Sequence, residues 1–195
     1  MTRRLSVLAP VLRSETQARL LAALLLQPER EASIAELARE TGADPGNLHA
    51  EVERLVQAGI LTDRRAGRTR LLRAADSPLN RPLADLLVLG YGPKPAAERA
   101  LRPIPAIDHA YIGGSWAARY LGENGPFPHD IDIIIVGSPD RDDTADAVIE
   151  AMTAIGHDAQ LIFRSTSAWR EARDAFTRTA KAKPLVELNL ETADG

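Results

Sequence analysis

Apolar positions in the first part of the chain recur at helical spacing, and capping residues punctuate them. Ser14-Glu15-Thr16-Gln17 precedes Ala18, Leu20, Leu21, Leu24 and Leu25, which predicts an N-capped helix with a broad apolar face, stopped by Pro28. Ser33-Ile34-Ala35-Glu36 has the capping-box pattern and predicts a short helix through Leu37 and Ala38, closed by Thr41-Gly42. Asp44-Pro45 supplies an N-cap and a proline at the first helical position. Leu48, Val52, Leu55 and Val56 follow at helical spacing until Gly59. Ile60-Leu61-Thr62 and Thr69-Arg70-Leu71-Leu72 then read as two short strands, with Arg64 to Arg68 forming the turn and Gly67 at its tip.

The pattern changes further along. Leu83, Leu86, Leu87 and Leu89 after Pro82 predict one more helix. Gly90-Tyr91-Gly92-Pro93-Lys94-Pro95 is a breaker cluster, which sets a hinge near residues 90–96. Beyond it, Ala96 to Leu101 predicts a short helix and Ile104 to Ile112 a strand. Gly113-Gly114-Ser115 follows, then a helix from Trp116 to Leu121. Asp130-Ile131-Asp132-Ile133-Ile134-Ile135-Val136 is nearly continuous and β-branched, the composition of a buried central strand. Asp143 to Ile155 reads as an amphipathic helix, Ala159 to Arg164 as a strand, and Ser167 to Thr179 as one final helix. The fold class expected is α+β. A winged helix-turn-helix domain would occupy residues 1–78, a connecting or dimerisation helix and linker 79–99, and a small α/β domain with a mixed sheet 100–195.

Composition narrows the chemistry. The 195 residues include no cysteine, which excludes a disulfide framework, thiolate metal sites and a cysteine nucleophile. The apolar runs Leu20 to Leu26 and Ile131 to Val136 are too short to span a bilayer. Met1-Thr2-Arg3-Arg4 is not followed by an apolar stretch with a small-residue cleavage site, so no membrane partner and a cytoplasmic location are expected. The formal net charge of -3 conceals a split. Residues 1–78 hold twelve arginines against ten acidic residues, whereas the remainder holds twelve basic against seventeen acidic. Between Thr62 and Arg73, Arg64, Arg65, Arg68, Arg70 and Arg73 face one acid, Asp63.

Two candidate sites follow. In the first module the third helix suits the major groove of double-stranded DNA, and arginines on a hairpin suit flanking phosphates. Asn47 is placed to pair with adenine and His49 to contact a base or phosphate; Arg64, Arg65, Arg68 and Arg70 would supply affinity rather than sequence choice. Asp44, Glu51 and Glu53 on or near the same helix are unfavourable close to phosphates. In the second module, Gly114-Ser115 lies at a strand-to-helix turn where backbone and hydroxyl can meet a phosphate. Asp130 and Asp132, at i and i+2 on a strand, share one face and repel unless a cation lies between them, which indicates Mg²⁺.

The first module resembles the ArsR-type winged-helix regulators through Ile34-Ala35-Glu36-Leu37-Ala38, Leu55-Val56-Gln57-Ala58-Gly59-Ile60-Leu61 and Gly67-Arg68-Thr69-Arg70-Leu71-Leu72. The resemblance implies a homodimer paired through terminal helices, for which Leu83, Leu86, Leu87 and Leu89 are available. The second module resembles the nucleotidyltransferase superfamily of DNA polymerase beta, especially the minimal nucleotidyltransferases, through Gly114-Ser115-Trp116-Ala117 and Asp130-x-Asp132. That resemblance implies that Gly114 and Ser115 hold a nucleoside triphosphate and that Asp130 and Asp132 ligate Mg²⁺. It also implies a third carboxylate on a later strand. Gln160 falls where that acid is expected, with Asp158 two residues earlier on the same face and Glu187 more distant. The function expected is a DNA-binding transcriptional regulator whose second domain binds Mg-nucleotide. The alternative is an active Mg-dependent nucleotidyltransferase moving an NMP group to a protein, RNA or small molecule, within a toxin–antitoxin system in one version.

Overall fold

A computed structural model of the chain describes residues 11–191; the Met1 to Arg4 segment lies outside them. The chain forms two units, divided between Gly92 and Pro93.

In the first unit, α1 (Glu15–Leu25) is capped by the Ser14 hydroxyl, which accepts from the Gln17 N–H. Its face of Ala18, Leu20, Leu21, Leu24 and Leu25 is buried. A two-residue strand, β1 (Ala32–Ser33), leads into α2 (Ile34–Thr41), whose capping box between Ser33 and Glu36 is complete and which ends on left-handed Gly42. Each such cap is worth about 1 kcal/mol. Asp44 caps α3 (Pro45–Gln57) by accepting from the Gly46 and Asn47 N–H groups. Helix α1 packs against α2, α3 and α4 (Asn80–Tyr91).

The hairpin is longer than its sequence suggests. β2 (Leu61–Ala66) and β3 (Thr69–Ala74) pair antiparallel up to Ala66 opposite Thr69, so Gly67 and Arg68 alone form the turn. Arg64 and Arg65 therefore sit in a strand rather than in the turn. The reason is the inner end of the ribbon: buried Leu61 and Leu72 anchor the register, and the charged positions continue the ladder outward. β1 adds to β3 as a third strand.

The stretch expected to connect the domains is divided between them. α4 packs on α1 within the first unit, and Leu87 is fully buried there. The second unit opens with α5 (Pro93–Leu101), which starts inside the breaker cluster because proline is tolerated in a first helical turn. β4 (Ile107–Ile112) starts three residues later than expected. Pro103 and Pro105 lack ladder donors, and Ala106 adopts a left-handed φ of 62°. α6 (Gly114–Tyr120), β5 (Asp130–Gly137), α7 (Arg141–Thr153) and β6 (Asp158–Arg164) follow. The expected last helix is two, α8 (Thr166–Glu171) and α9 (Ala175–Lys181). The break falls at Ala172, whose φ of 49° ends α8, and Asp174 caps α9. A short β7 (Val186–Glu187) completes the unit.

The sheet order is β6-β5-β4-β7, with β5 and β6 parallel and the other pairs antiparallel, so it is a mixed sheet. Alternation along β5 divides its side chains. Ile131, Ile133 and Ile135 are wholly buried on one face. On the other, Ile134 and Val136 pack with Trp169, Tyr111, Ile162, Ala180 and Leu185. Asp130 and Asp132 begin this second face, before the apolar cover starts.

Candidate functional site

The first unit presents α3 and the wing side by side, and the acids on α3 are all engaged. Asp44 is consumed by the helix cap. Glu51 is buried, accepting from Gln17 Nε2 at 2.8 Å and pairing with Arg54. Glu53 pairs with Arg70 of β3, and His49 Nε2 lies 3.8 Å from the same carboxylate. Exposed residues of α3 include Gly46, Asn47, His49, Ala50 and Arg54. Local pairing thus engages Glu51 and Glu53, while Asp44 stays exposed on its cap.

The four wing arginines do not form one set. Arg70, one-quarter exposed, bridges Glu53 and Asp63, with Nε 2.8 Å from Asp63 Oδ2. The hydrogen bonds it donates to Asp63 and then to Glu53 push its guanidinium above its ordinary pKa. Arg64 makes a two-point contact with Glu31, its Nε at 2.7 Å, and that hydrogen bond holds the Glu31 carboxyl below the usual carboxylate range. Arg65 and Arg68 are exposed and make no salt bridge within 4.0 Å among the described residues. Cross-strand register places Arg65 directly opposite Arg70, hence on the α3 side of the ribbon. Glu31, Glu53 and Asp63 were not singled out as partners in the sequence. Only the contrast of an arginine run with acids on neighbouring elements pointed to them.

In the second unit, the parallel register sets Asp130 beside Asp158 and Asp132 beside Gln160. Donor atoms of His129, Asp130 and Asp158 all lie within 4.8 Å of one another, on an exposed edge. His129 Nε2 is 3.5 Å from Asp158 Oδ2. Asp132 turns elsewhere. Its carbonyl accepts from the Gly113 N–H at 2.9 Å, and its carboxylate lies against Gly114. A Cβ on Gly114 would fall 2.3 Å from Asp132 Oδ2, and Gly114 has a φ of 61°. Glycine is required there twice over, by conformation and by space.

Gly114 and Ser115 are both exposed beside that carboxylate. α6 has only seven residues, so backbone N–H groups and the Ser115 hydroxyl, rather than a helix dipole, are what the turn offers an anion. Glu187 is remote from the cluster: it lies on β7 opposite Tyr111 and contacts His109 Nδ1 at 2.9 Å. The imidazole of His129 with the carboxylates of Asp130 and Asp158 fits a divalent cation, and the Gly114-Ser115 turn seated on Asp132 offers donors to a phosphate. Oxygen donors favour Mg²⁺, while His129 would also suit softer ions. His129 is the site residue not anticipated, although its place next to Asp130 in sequence was a signal.

No helix among the described residues is long and apolar enough to cross a membrane. Residues 13–76 match the model of the family described as HVO_A0114. No curated protein matches the chain. Among solved structures, a mutant of Lactococcus lactis ZitR is similar at 16% identity and a TM-score of 0.38, over 51% of this chain and 69% of that one. Wild-type L. lactis ZitR in complex with DNA is similar at 14% identity and a TM-score of 0.36, over 53% and 64%. A homodimeric winged helix-turn-helix DNA-binding domain from Mycobacterium bovis, a possible ArsR-family transcriptional regulator, is similar at 23% identity and a TM-score of 0.32, over 45% and 88%.

Proposed function

We propose that the protein is a DNA-binding transcriptional regulator in which α3 enters the major groove and the wing lies along the flanking phosphates. One observation carries this reading. Every acid of α3 is capped, buried or paired, leaving Asn47, His49, Ala50 and Arg54 exposed beside Arg65 and Arg68. Asn47 and His49 are the base-reading candidates, and the arginines supply the salt-dependent term. Two-fold pairing of copies suits such a reader. Of the four leucines expected to serve it, exposed Leu89 and half-buried Leu83 and Leu86 remain for it, whereas Leu87 belongs to the core. A mobility-shift assay with DNA from upstream of the protein's own gene tests the reading, and a shift that persists at physiological salt is expected. Absence of any specific shift would refute it.

The second unit, in this proposal, binds a Mg²⁺–nucleotide. Asp130 and Asp158, with His129, hold the ion, Asp132 seats the glycine turn, and Gly114 and Ser115 receive the phosphates. The close seat of Gly114 on Asp132 supports it. A second reading, transfer of an NMP group, is favoured by Asp158, which the register brings to Asp130 as a third carboxylate. When bound, Mg²⁺ would stabilise charge on the phosphates. Labelled nucleotides with Mg²⁺ separate the two readings. Covalent labelling that disappears in Asp130→Ala/Asp132→Ala indicates transfer, and saturable binding without labelling indicates a sensor. Labelling retained in the double variant would reject the site.

A further inference from the structure

The wing carries two arginines face to face. Arg65 of β2 and Arg70 of β3 are directly opposed in the antiparallel register, an arrangement that like charges make unfavourable. It persists because Arg70 is neutralised from two sides, by Asp63 on the partner strand and by Glu53 on α3. Arg70 is therefore held between three elements, whereas Arg65 has no ion-pair partner within 4.0 Å among the described residues and extends to solvent on the same face.

We infer that Arg70 is a positioning residue: it stays bound to Glu53 and Asp63 when duplex DNA docks, and leaves phosphate contact to Arg65 and Arg68. This rests on the DNA-binding reading and refines it, because it divides the arginines by task. Moving Arg70 onto a phosphate would expose two carboxylates, Glu53 and Asp63, at the very surface the DNA approaches. It would also release the tie that sets the distance between wing and α3. An extended guanidinium at Arg65 or Arg68 reaches a phosphate at neither cost. Arg64 follows the same logic on the opposite face of the ribbon, where Glu31 holds it.

The test uses the full chain and a fluorescent duplex taken from upstream of its own gene, with affinity measured across a series of salt concentrations. Removing one arginine–phosphate interaction lowers the magnitude of the negative slope of log K against log salt by about 0.9. Arg65→Gln and Arg68→Gln should each lower it by that amount. The charge-balanced pair Glu53→Gln/Arg70→Gln should weaken binding several-fold while keeping the wild-type slope. A slope in that double variant reduced as in Arg65→Gln would show that Arg70 does contact phosphate, and would overturn the inference.

A second measurement needs no DNA. Urea unfolding of the Glu53→Gln, Arg70→Gln and double variants should reveal a coupling of about two- to five-fold in the folding equilibrium, and zero coupling would overturn the clamp. A wild-type chain that binds no duplex even at low salt refutes the DNA-binding reading instead. The coupling still reports on the clamp in that case.

Discussion

Gly114 concentrates the site's demands at a single Cα. A methyl group there meets the Asp132 carboxylate at 2.3 Å and must adopt a φ of 61°. Gly42 has nearly the same φ, 65°, with open space around it. The pair separates conformation from crowding: Gly42→Ala should cost about 1 kcal/mol, as an ordinary αL substitution does, and Gly114→Ala about 1–3 kcal/mol more. Urea unfolding monitored in each unit checks this, and equal costs would remove the close seat of Gly114 on Asp132. Ala172 offers the reverse change. Its φ of 49° at the end of α8 is one glycine prefers, so Ala172→Gly should raise stability by up to about 1 kcal/mol, read as an increased denaturation midpoint. Glycine at 114 was legible because it precedes Ser115 at a strand end. The strained alanine was not, since nothing about Ala172 in sequence marks a left-handed residue.

Elements were legible where capping chemistry is local. Ser33 and Glu36 lie three residues apart, and Asp44 adjoins Pro45, so both helix starts are written within one turn of chain. The capping box also carries a pH signature. Hydrogen bonds from Ser33 lower the Glu36 pKa below its ordinary value, so the contribution is whole above that value and lost as pH falls through the folded one. Glu36→Gln should therefore flatten the acid limb of the stability–pH curve below about pH 4.5. An unchanged limb would exclude the cap as its source. The wing was read only in part. Its strands are longer than their apolar residues suggest, because the outer rungs are held by charge: Arg64 by Glu31 and Arg70 by Glu53, partners 33 and 17 residues away. Such distant pairings have no periodicity. β7 was missed for a similar reason, as two residues paired with β4 leave no pattern of their own.

On the scale of the whole molecule, the near-neutral net charge of -3 is the sum of a slightly basic first part, residues 1–78, and an acidic remainder. In the first unit Glu51 and Glu53 of α3 are paired, and Arg65 and Arg68 are exposed without an ion pair among the described residues. In the second, Asp130 and Asp158 are brought together on adjacent strands at an edge no apolar side chain covers. Sequence patterning marked both regions as candidates. It did not divide the arginines into bound and exposed, since that depends on which acids fold next to them. The proposal for DNA recognition is decided by a competition measurement at physiological salt, with duplex from the protein's own upstream region set against a scrambled duplex of the same length. A preference of about a thousandfold or more for the upstream duplex, reduced tenfold or more by Asn47→Ala, is the result expected of a base-reading α3. Equal affinity for the two duplexes would contradict it.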